Sequence, residues 1–339
     1  MNTSDVAWDY AMDYMVTCCI GLVFIYGYNV VSSILRGMGD SRHPFIFISI
    51  AAVLNMVLDV LFVAVFKMEV FGAALATVIG QGVSFIFALV YLYKHKDAFG
   101  FDFKLSSFKI SGEHLKVIVS LGVPMAIQSA AISFSRIIVA TWINGFGSTS
   151  TAVAGIYNKF CHIVALFANA FNTAGGSMIG QCIGAEIYDR VKKVYSTLFV
   201  LMAGVTVIIL LAINFFPTQI FSLFTSDADV IEAAHAIVFP ISLFAIGAAG
   251  RTPGFALING SGFAALNLTI AILDGIVCRL SFAYLFTFIL QMGAYGCWLG
   301  DGLAGFVPFV VGFIYLLSGK WRTNKYLIKR QMGALKKED

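Results

Sequence analysis

Asn55 and Asp59 are the only polar side chains in AAVLNMVLDVLFVAVF, residues 51–66. Four positions apart, they share one face of a helix. A carboxylate in a medium of low dielectric is penalised in its charged form, so it takes up and releases a proton closer to neutral pH than it would in water. With a neighbouring amide it can also offer hard oxygen ligands to sodium. Placing aspartate at the centre of a bilayer costs about 2.5–3.5 kcal/mol on insertion scales, which makes it a costly residue to keep without a task. The competing structural reading is that the pair hydrogen-bonds neighbouring helices together.

Other polar residues interrupt apolar stretches further along. Arg136 and Lys159 fall inside two of them, where snorkelling or a salt bridge competes with a role in lining a substrate cleft and setting its charge. Arg279 suits either purpose. His162, Asn169 and Asn172, spaced by seven and three, make a polar stripe that either faces water or bonds between helices. Asp274 is expected near a helix start and Asp301 near a helix end, as solvated edges or as a second polar site. Met125, Met178 and some of the 32 phenylalanines suit a pocket for varied ligands, because soft side chains adapt.

The elements that hold these residues follow from composition. Of 339 residues 59% are hydrophobic and 12% charged, about half the charged share of a soluble domain, and mean hydropathy is +0.88. Apolar runs of about 20 residues recur between short polar breaks, which defines an all-α polytopic membrane protein. Nine spans are expected, at about 12–35, 44–66, 70–93, 115–143, 150–180, 194–216, 231–257, 264–290 and 293–318, with Pro124 and Pro240 in or near helix starts. The segment 94–114 reads as a cytoplasmic linker between a three-helix portion, 1–93, and a six-helix portion, 115–320. Residues 321–339 form a basic cytoplasmic tail.

Lysine and arginine sort by loop. Arg36 and Arg42, then Lys94, Lys96, Lys104, Lys109 and Lys116, then Arg190, Lys192 and Lys193, and seven basic residues from Lys320 onward, alternate with connections that hold only Lys67. The positive-inside rule then predicts a cytoplasmic C-terminus and an external N-terminus in the cell membrane. The first residues, MNTSDVAWDYAMDYM, lack the basic start of a signal peptide. The net charge of +4 reflects these loops and is no sign of a nucleic-acid partner. The six cysteines have neither metal-site nor redox-motif spacing and read as packing residues.

The chain repeats itself weakly. ILRGMGD, two spans and an aromatic-rich helix ending in lysine recur as LINGSGF, two spans and GAYGCWLGDGLAGFVPFVVGFIYLLSGK. Gly37 and Gly39 match Gly260 and Gly262 at an offset of 223, and Gly72 matches Gly296 at 224. Asp301 takes the repeat position of Thr77. Two related helical bundles are a layout that transporters favour.

LRGMGDSRHP, then N-x3-D, then GAALATVIGQ, then GVPMAIQS…INGFGSTSTAVAGIYNKF and GGSMIGQCIGAEIYDRVKK resemble, in order, the multidrug and toxic compound extrusion (MATE) family. Ile132 stands where one branch has a glutamate, which points to the DinF-like branch. The resemblance implies twelve helices in two lobes around a cleft, and export of organic cations or other xenobiotics against inward protons or sodium by alternating access. It implies no cofactor and no catalysis. On that template the chain starts just before the fourth helix, leaving an incomplete first lobe, with self-association through that lobe as one consequence. The branch uses an Asn and an Asp one turn apart, a Thr on the next helix and an Asp on the first. Asn55, Asp59 and Thr77 match, and Gln81, one turn beyond Thr77, shares its face. The first-helix aspartate has no counterpart. Any sodium would bind at Asn55, Asp59 and Thr77.

Rival readings are a truncated, non-transporting remnant and a flippase of lipid-linked sugars, whose clefts carry more cationic residues. A remote one is an intramembrane aspartyl protease, since GMGD at 37–40 matches GxGD; the required Tyr-Asp pair occurs only at Tyr188–Asp189, in a basic loop. Hydrolase, zinc-protease and nucleotide motifs do not occur.

Overall fold

A computed structural model describes residues 5–102, 104 and 112–322. Residues 323–339 of the expected tail, and residues 103 and 105–111 of the expected linker, lie outside the described residues. The helices run α1 (Asp5–Gly37), α2 (Arg42–Asp59), α3 (Glu69–Lys94), α4 (Lys96–Phe99), α5 (Gly112–Asn144), α6 (Ser148–Gly184), α7 (Tyr188–Phe215), α8 (Pro217–Phe221), α9 (Ala228–Ala234), α10 (Val238–Ser261), α11 (Ala264–Ile270), α12 (Arg279–Tyr284), α13 (Ala294–Ala304) and α14 (Phe306–Ser318). Among the described residues nine helical segments are long and apolar enough to cross a membrane. The side chains of α5 show what surrounds them: Ile118, Phe134 and Ile137 are each more than 60% exposed. Large apolar side chains left this open suit a membrane-spanning helix.

Two compact units form, Met1–Ile110 and Ser111–Asp339. In the first, α1 and α3 run parallel, since Gly21 lies against Val78 and Gly27 against Phe85. The missing side chains let the rings and methyls of α3 sink onto the backbone of α1, the close approach that holds helices together where no hydrophobic drive exists between them. α2 returns antiparallel. A Cβ on Gly80 would stand 3.3 Å from Asn55 Cβ, and one on Gly72 would stand 3.0 Å from Phe62 Cβ.

In the second unit α10 is central, packed by α6, α7, α13 and α14. Its small residues again set the spacing, with Gly254 against Gly312, Gly250 under Phe309 and Gly260 against Ile179 of α6. Pro124 lies twelve residues into α5, not at its start, because the helix begins at Gly112. In a lipid-facing span a proline's freed carbonyl is met by local adjustment and neighbouring groups.

The repeat extends to backbone detail. α2 continues into a π-helical segment, Val60–Val65, and the last of the second unit's π segments, Leu285–Ile289, occupies the matching place. Phe66 N–H bonds Leu61 O and Met68 N–H bonds Phe62 O; Leu290 N–H bonds Leu285 O and Met292 N–H bonds Phe286 O, all 224 residues on. Lys67 and Glu69 have φ of 55° and 50°, and Gln291 and Gly293 have 54° and 61°. Glycine fits such a conformation without cost, whereas Lys67, Glu69 and Gln291 bear its strain. Gly27 under Phe85 recurs as Gly250 under Phe309.

Candidate functional site

In the first unit, the register set by Asn55 against Gly80 and by Phe62 against Gly72 brings Asp59 to the level of Ala76 and Thr77, with Asn55 beside Gly80 and Gln81. All four candidate side chains are partly buried. Asn55 Nδ2 and Asp59 Oδ1 are fully shielded and have no hydrogen-bond partner among the described residues. A buried polar atom left unpaired costs about 1–3 kcal/mol, more if charged. Thr77 donates its hydroxyl proton to the carbonyl of Ala73 at 3.0 Å, so its oxygen has only lone pairs left to offer. Asp59 Oδ1 and Thr77 Oγ1 are thus acceptors that fit a proton or a hard cation, whereas the unpaired atom of Asn55 is a donor. Tyr14 of α1 is within electrostatic range of Asp59. The π segment starts one residue after Asp59, and such segments concentrate at functional sites.

Asp40, the residue of the GxGD match, is otherwise engaged. It accepts from the Tyr91 hydroxyl at 2.8 Å, from the His43 backbone N–H at 3.2 Å and from the His43 ring at 2.8 Å. The His43 and Tyr91 rings stack with centroids 4.1 Å apart. Burial pushes the Asp40 carboxyl up, yet the three hydrogen bonds and the His43 charge outweigh it, and its pKa lies below the ordinary value.

The second unit holds a buried ionic cluster. Arg279 donates from Nη2 to Asp274 Oδ1 at 3.0 Å and pairs through Nη1 with Asp301 Oδ1. Asp301 also accepts from the Tyr157 hydroxyl at 2.8 Å. All four residues are buried. Asp274 lies well inside its span, in a π-helical segment from Ala271 to Cys278, rather than near a helix start. Removing one member of such a group leaves an uncompensated charge, at about 3–5 kcal/mol.

Two cavities flank this cluster. One of about 220 Å³ is lined by Arg136, Val139, Ile143, Tyr157, Trp298 and Asp301, with Arg279 at its wall. The other, of about 160 Å³, is lined by Arg136, Asn169, Asn172, Arg251, Asp274 and Arg279. Arg136, Asn169, Asn172 and Asp301 therefore line cavities. Lys159 and His162 are exposed and line neither; Lys159 Nζ stands over the Phe224 ring, 5.0 Å from its centroid. Asn172 also joins a chain of amides, with Asn259 Nδ2 donating to it at 3.4 Å and Asn267 Nδ2 donating to Asn259 at 2.9 Å. Arg251, Tyr157 and Asn259 were not singled out from the sequence. Arg251 carried the same signal as Arg136, a lone charge within an apolar run; Tyr157 carried none.

A helical bundle of membrane spans with buried charges and small-residue helix contacts is the construction of a membrane transporter. The MatE family model matches residues 124–285, and the model of the lipid II flippase MurJ matches residues 5–151. The probable multidrug resistance protein YpnP of Bacillus subtilis (strain 168) is 30% identical over 326 residues, 94% of this chain and 71% of that protein. YoeA, a probable multidrug resistance protein of the same strain, is 31% identical over 246 residues, 70% of this chain and 52% of that protein. A crystal structure of MATE in the bent conformation superposes with a TM-score of 0.81 at 24% identity, covering 100% of this chain and 72% of that one. The chain belongs to the MATE family, whose members are transporters rather than enzymes.

Proposed function

We propose that this protein works as a secondary exporter of organic cations or other amphiphilic xenobiotics at the cell membrane, driven by inward protons or sodium through alternating access. The observation that carries the reading is the pair of shielded, unpartnered atoms at Asn55 Nδ2 and Asp59 Oδ1, one turn apart inside an apolar span. An unpartnered carboxylate oxygen stores unmet bonding capacity that a proton or cation relieves. Because Asp59 adjoins a π segment, its occupancy can bias two arrangements of α2. Asn55, Thr77 and Gln81 tune the site, and Arg136, Lys159, His162, Asn169, Asn172 and Asp301 belong to the substrate path. The family's multidrug relatives support the export of drugs.

The test is efflux of a fluorescent cationic dye from cells, or its uptake into inverted vesicles, under an imposed proton or sodium gradient. Asp59→Asn is expected to abolish gradient-driven efflux at unchanged expression, and Asn55→Ala and Thr77→Ala to weaken it. Undiminished efflux in Asp59→Asn would reduce Asp59 to a packing residue.

A second reading, movement of a lipid-linked sugar, is favoured by the MurJ match over residues 5–151. Orientation follows the basic loops: a cysteine at position 104 should react with membrane-impermeant reagents only from the cytoplasmic side.

A further inference from the structure

The charges around the two cavities of the second unit do not cancel. Three guanidiniums, Arg136, Arg251 and Arg279, meet two carboxylates, Asp274 and Asp301. Arg279 takes both carboxylates for itself. Arg251 rests over the Phe244 ring, 4.5 Å from its centroid, and among the described residues Arg136 has no ion pair with a carboxylate. One net positive charge is therefore held among helices, where an uncompensated cation is costly.

We propose that the cavity bounded by Arg136, Arg251 and Arg279 receives the oxyanion head, phosphate or carboxylate, of an amphiphilic substrate. Arg136 and Arg251 offer planar forks of donors that match such a head in two-pronged geometry. Asn172 spends its oxygen on Asn259 and keeps its Nδ2 protons for the cavity. Thr252 spends its hydroxyl proton on Ala248 O, so it does not compete as a donor. Arg136 and Arg279 also border the larger cavity, where Val139, Ile143 and Trp298 give an apolar wall for the rest of the molecule. A cationic head in the smaller cavity would face two unneutralised guanidiniums. Among the xenobiotics of the proposed exporter, on which this inference rests, the second unit thus selects anionic or zwitterionic amphiphiles.

The experiment is isothermal titration of the purified full chain in nanodiscs of neutral lipid, with dodecyl phosphate, dodecyltrimethylammonium and inorganic phosphate as probes. Dodecyl phosphate should bind at least about tenfold more tightly than the ammonium, and Arg136→Gln and Arg251→Gln should each weaken it by about tenfold or more. Lys193→Gln, whose exposed side chain lines neither cavity, should leave it unchanged. Competition by inorganic phosphate at millimolar level supports a site for the free head group; competition only by phosphatidic acid placed in the nanodiscs supports a lipid head. Equal or tighter binding of the ammonium by the unmodified protein overturns the proposal, whether or not the variants fold. So does unaltered dodecyl phosphate binding in both folded arginine variants. Gradient-driven dye efflux that depends on Asp59, without dodecyl phosphate binding, sinks this site and leaves the exporter reading intact. Binding without any gradient-driven movement does the reverse.

Discussion

Asp274 and Arg279 are joined twice. The Arg279 backbone N–H bonds the Asp274 carbonyl, and the Arg279 guanidinium bonds the Asp274 carboxylate at 3.0 Å. In an α-helix, five residues turn through about 500°, which leaves the two side chains about 140° apart. The i to i+5 bonding of the π segment narrows that angle and lets both charges face inward. A local widening of one helix thus builds a buried ion pair that α-helical spacing would hold apart.

The first prediction concerns this cluster. Arg279→Gln should destabilise the protein by about 3–5 kcal/mol, since two buried carboxylates lose their shared partner. The triple variant Asp274→Asn, Arg279→Gln, Asp301→Asn should recover most of that loss. Thermal unfolding in detergent measures both. A single variant as stable as the parent would show that the three charges do not act together.

Helix contact makes a second. An added methyl at Gly250 meets the root of the Phe309 ring, whereas at Gly27 it meets the outer edge of the Phe85 ring, which swings more easily. Gly250→Ala should cost about 1–3 kcal/mol, as overpacking does, and Gly27→Ala less. Pairing Gly250→Ala with Phe309→Leu should return part of the stability. The order of unfolding temperatures decides it.

The pH dependence of the first unit should run through Asp40. Its folded pKa lies below the unfolded value of about 3.9. The carboxylate therefore contributes stability that is present above the unfolded pKa and is lost as pH falls through the folded one. Between pH 6 and the onset of acid unfolding, Asp40→Asn should lose less stability than the parent, and Tyr91→Phe should fall between them. Parallel acid-unfolding curves for parent and Asp40→Asn would remove Asp40 from the account.

Gly80 offers a test of the α2–α3 seam without touching a polar group. Leucine there would push against Ala51 O and Asn55 Cβ, 3.2 and 3.3 Å from the added carbon. It should part Asn55 and Asp59 from Thr77 and lower gradient-driven efflux about as far as Asp59→Asn. Efflux at the parental rate in a correctly inserted Gly80→Leu protein would separate transport from this seam.

Much of the molecule is written in its composition. A bilayer imposes about 20 apolar residues per crossing, so nine spans are legible from hydropathy alone, and each rare charge inside one stands out. Asp59, Arg136, Arg279 and Asp301 stand out in this way, and Arg251 does so equally. The glycine offsets of 223 and 224 expose the repeat because Gly72 and Gly296 lie where an added methyl would meet packed atoms, and Gly39 and Gly262 turn the chain at positive φ. Partnership was not legible. Whether a charge meets lipid, water or a counter-charge depends on which helices touch, and neither periodicity nor spacing carries that.

The sequence by itself determined the class of structure, the spans and the set of polar residues that a membrane must accommodate, because the solvent acts on each segment separately. Only the tertiary structure decided how those residues are used. It left Asn55 Nδ2 and Asp59 Oδ1 without a partner among the described residues, turned Asp274 inward through a π segment, and joined Tyr157 to Asp301 across 144 positions of chain. Those outcomes come from the packing of glycine-lined helix faces, where a shift of one residue in register exchanges one neighbour for another.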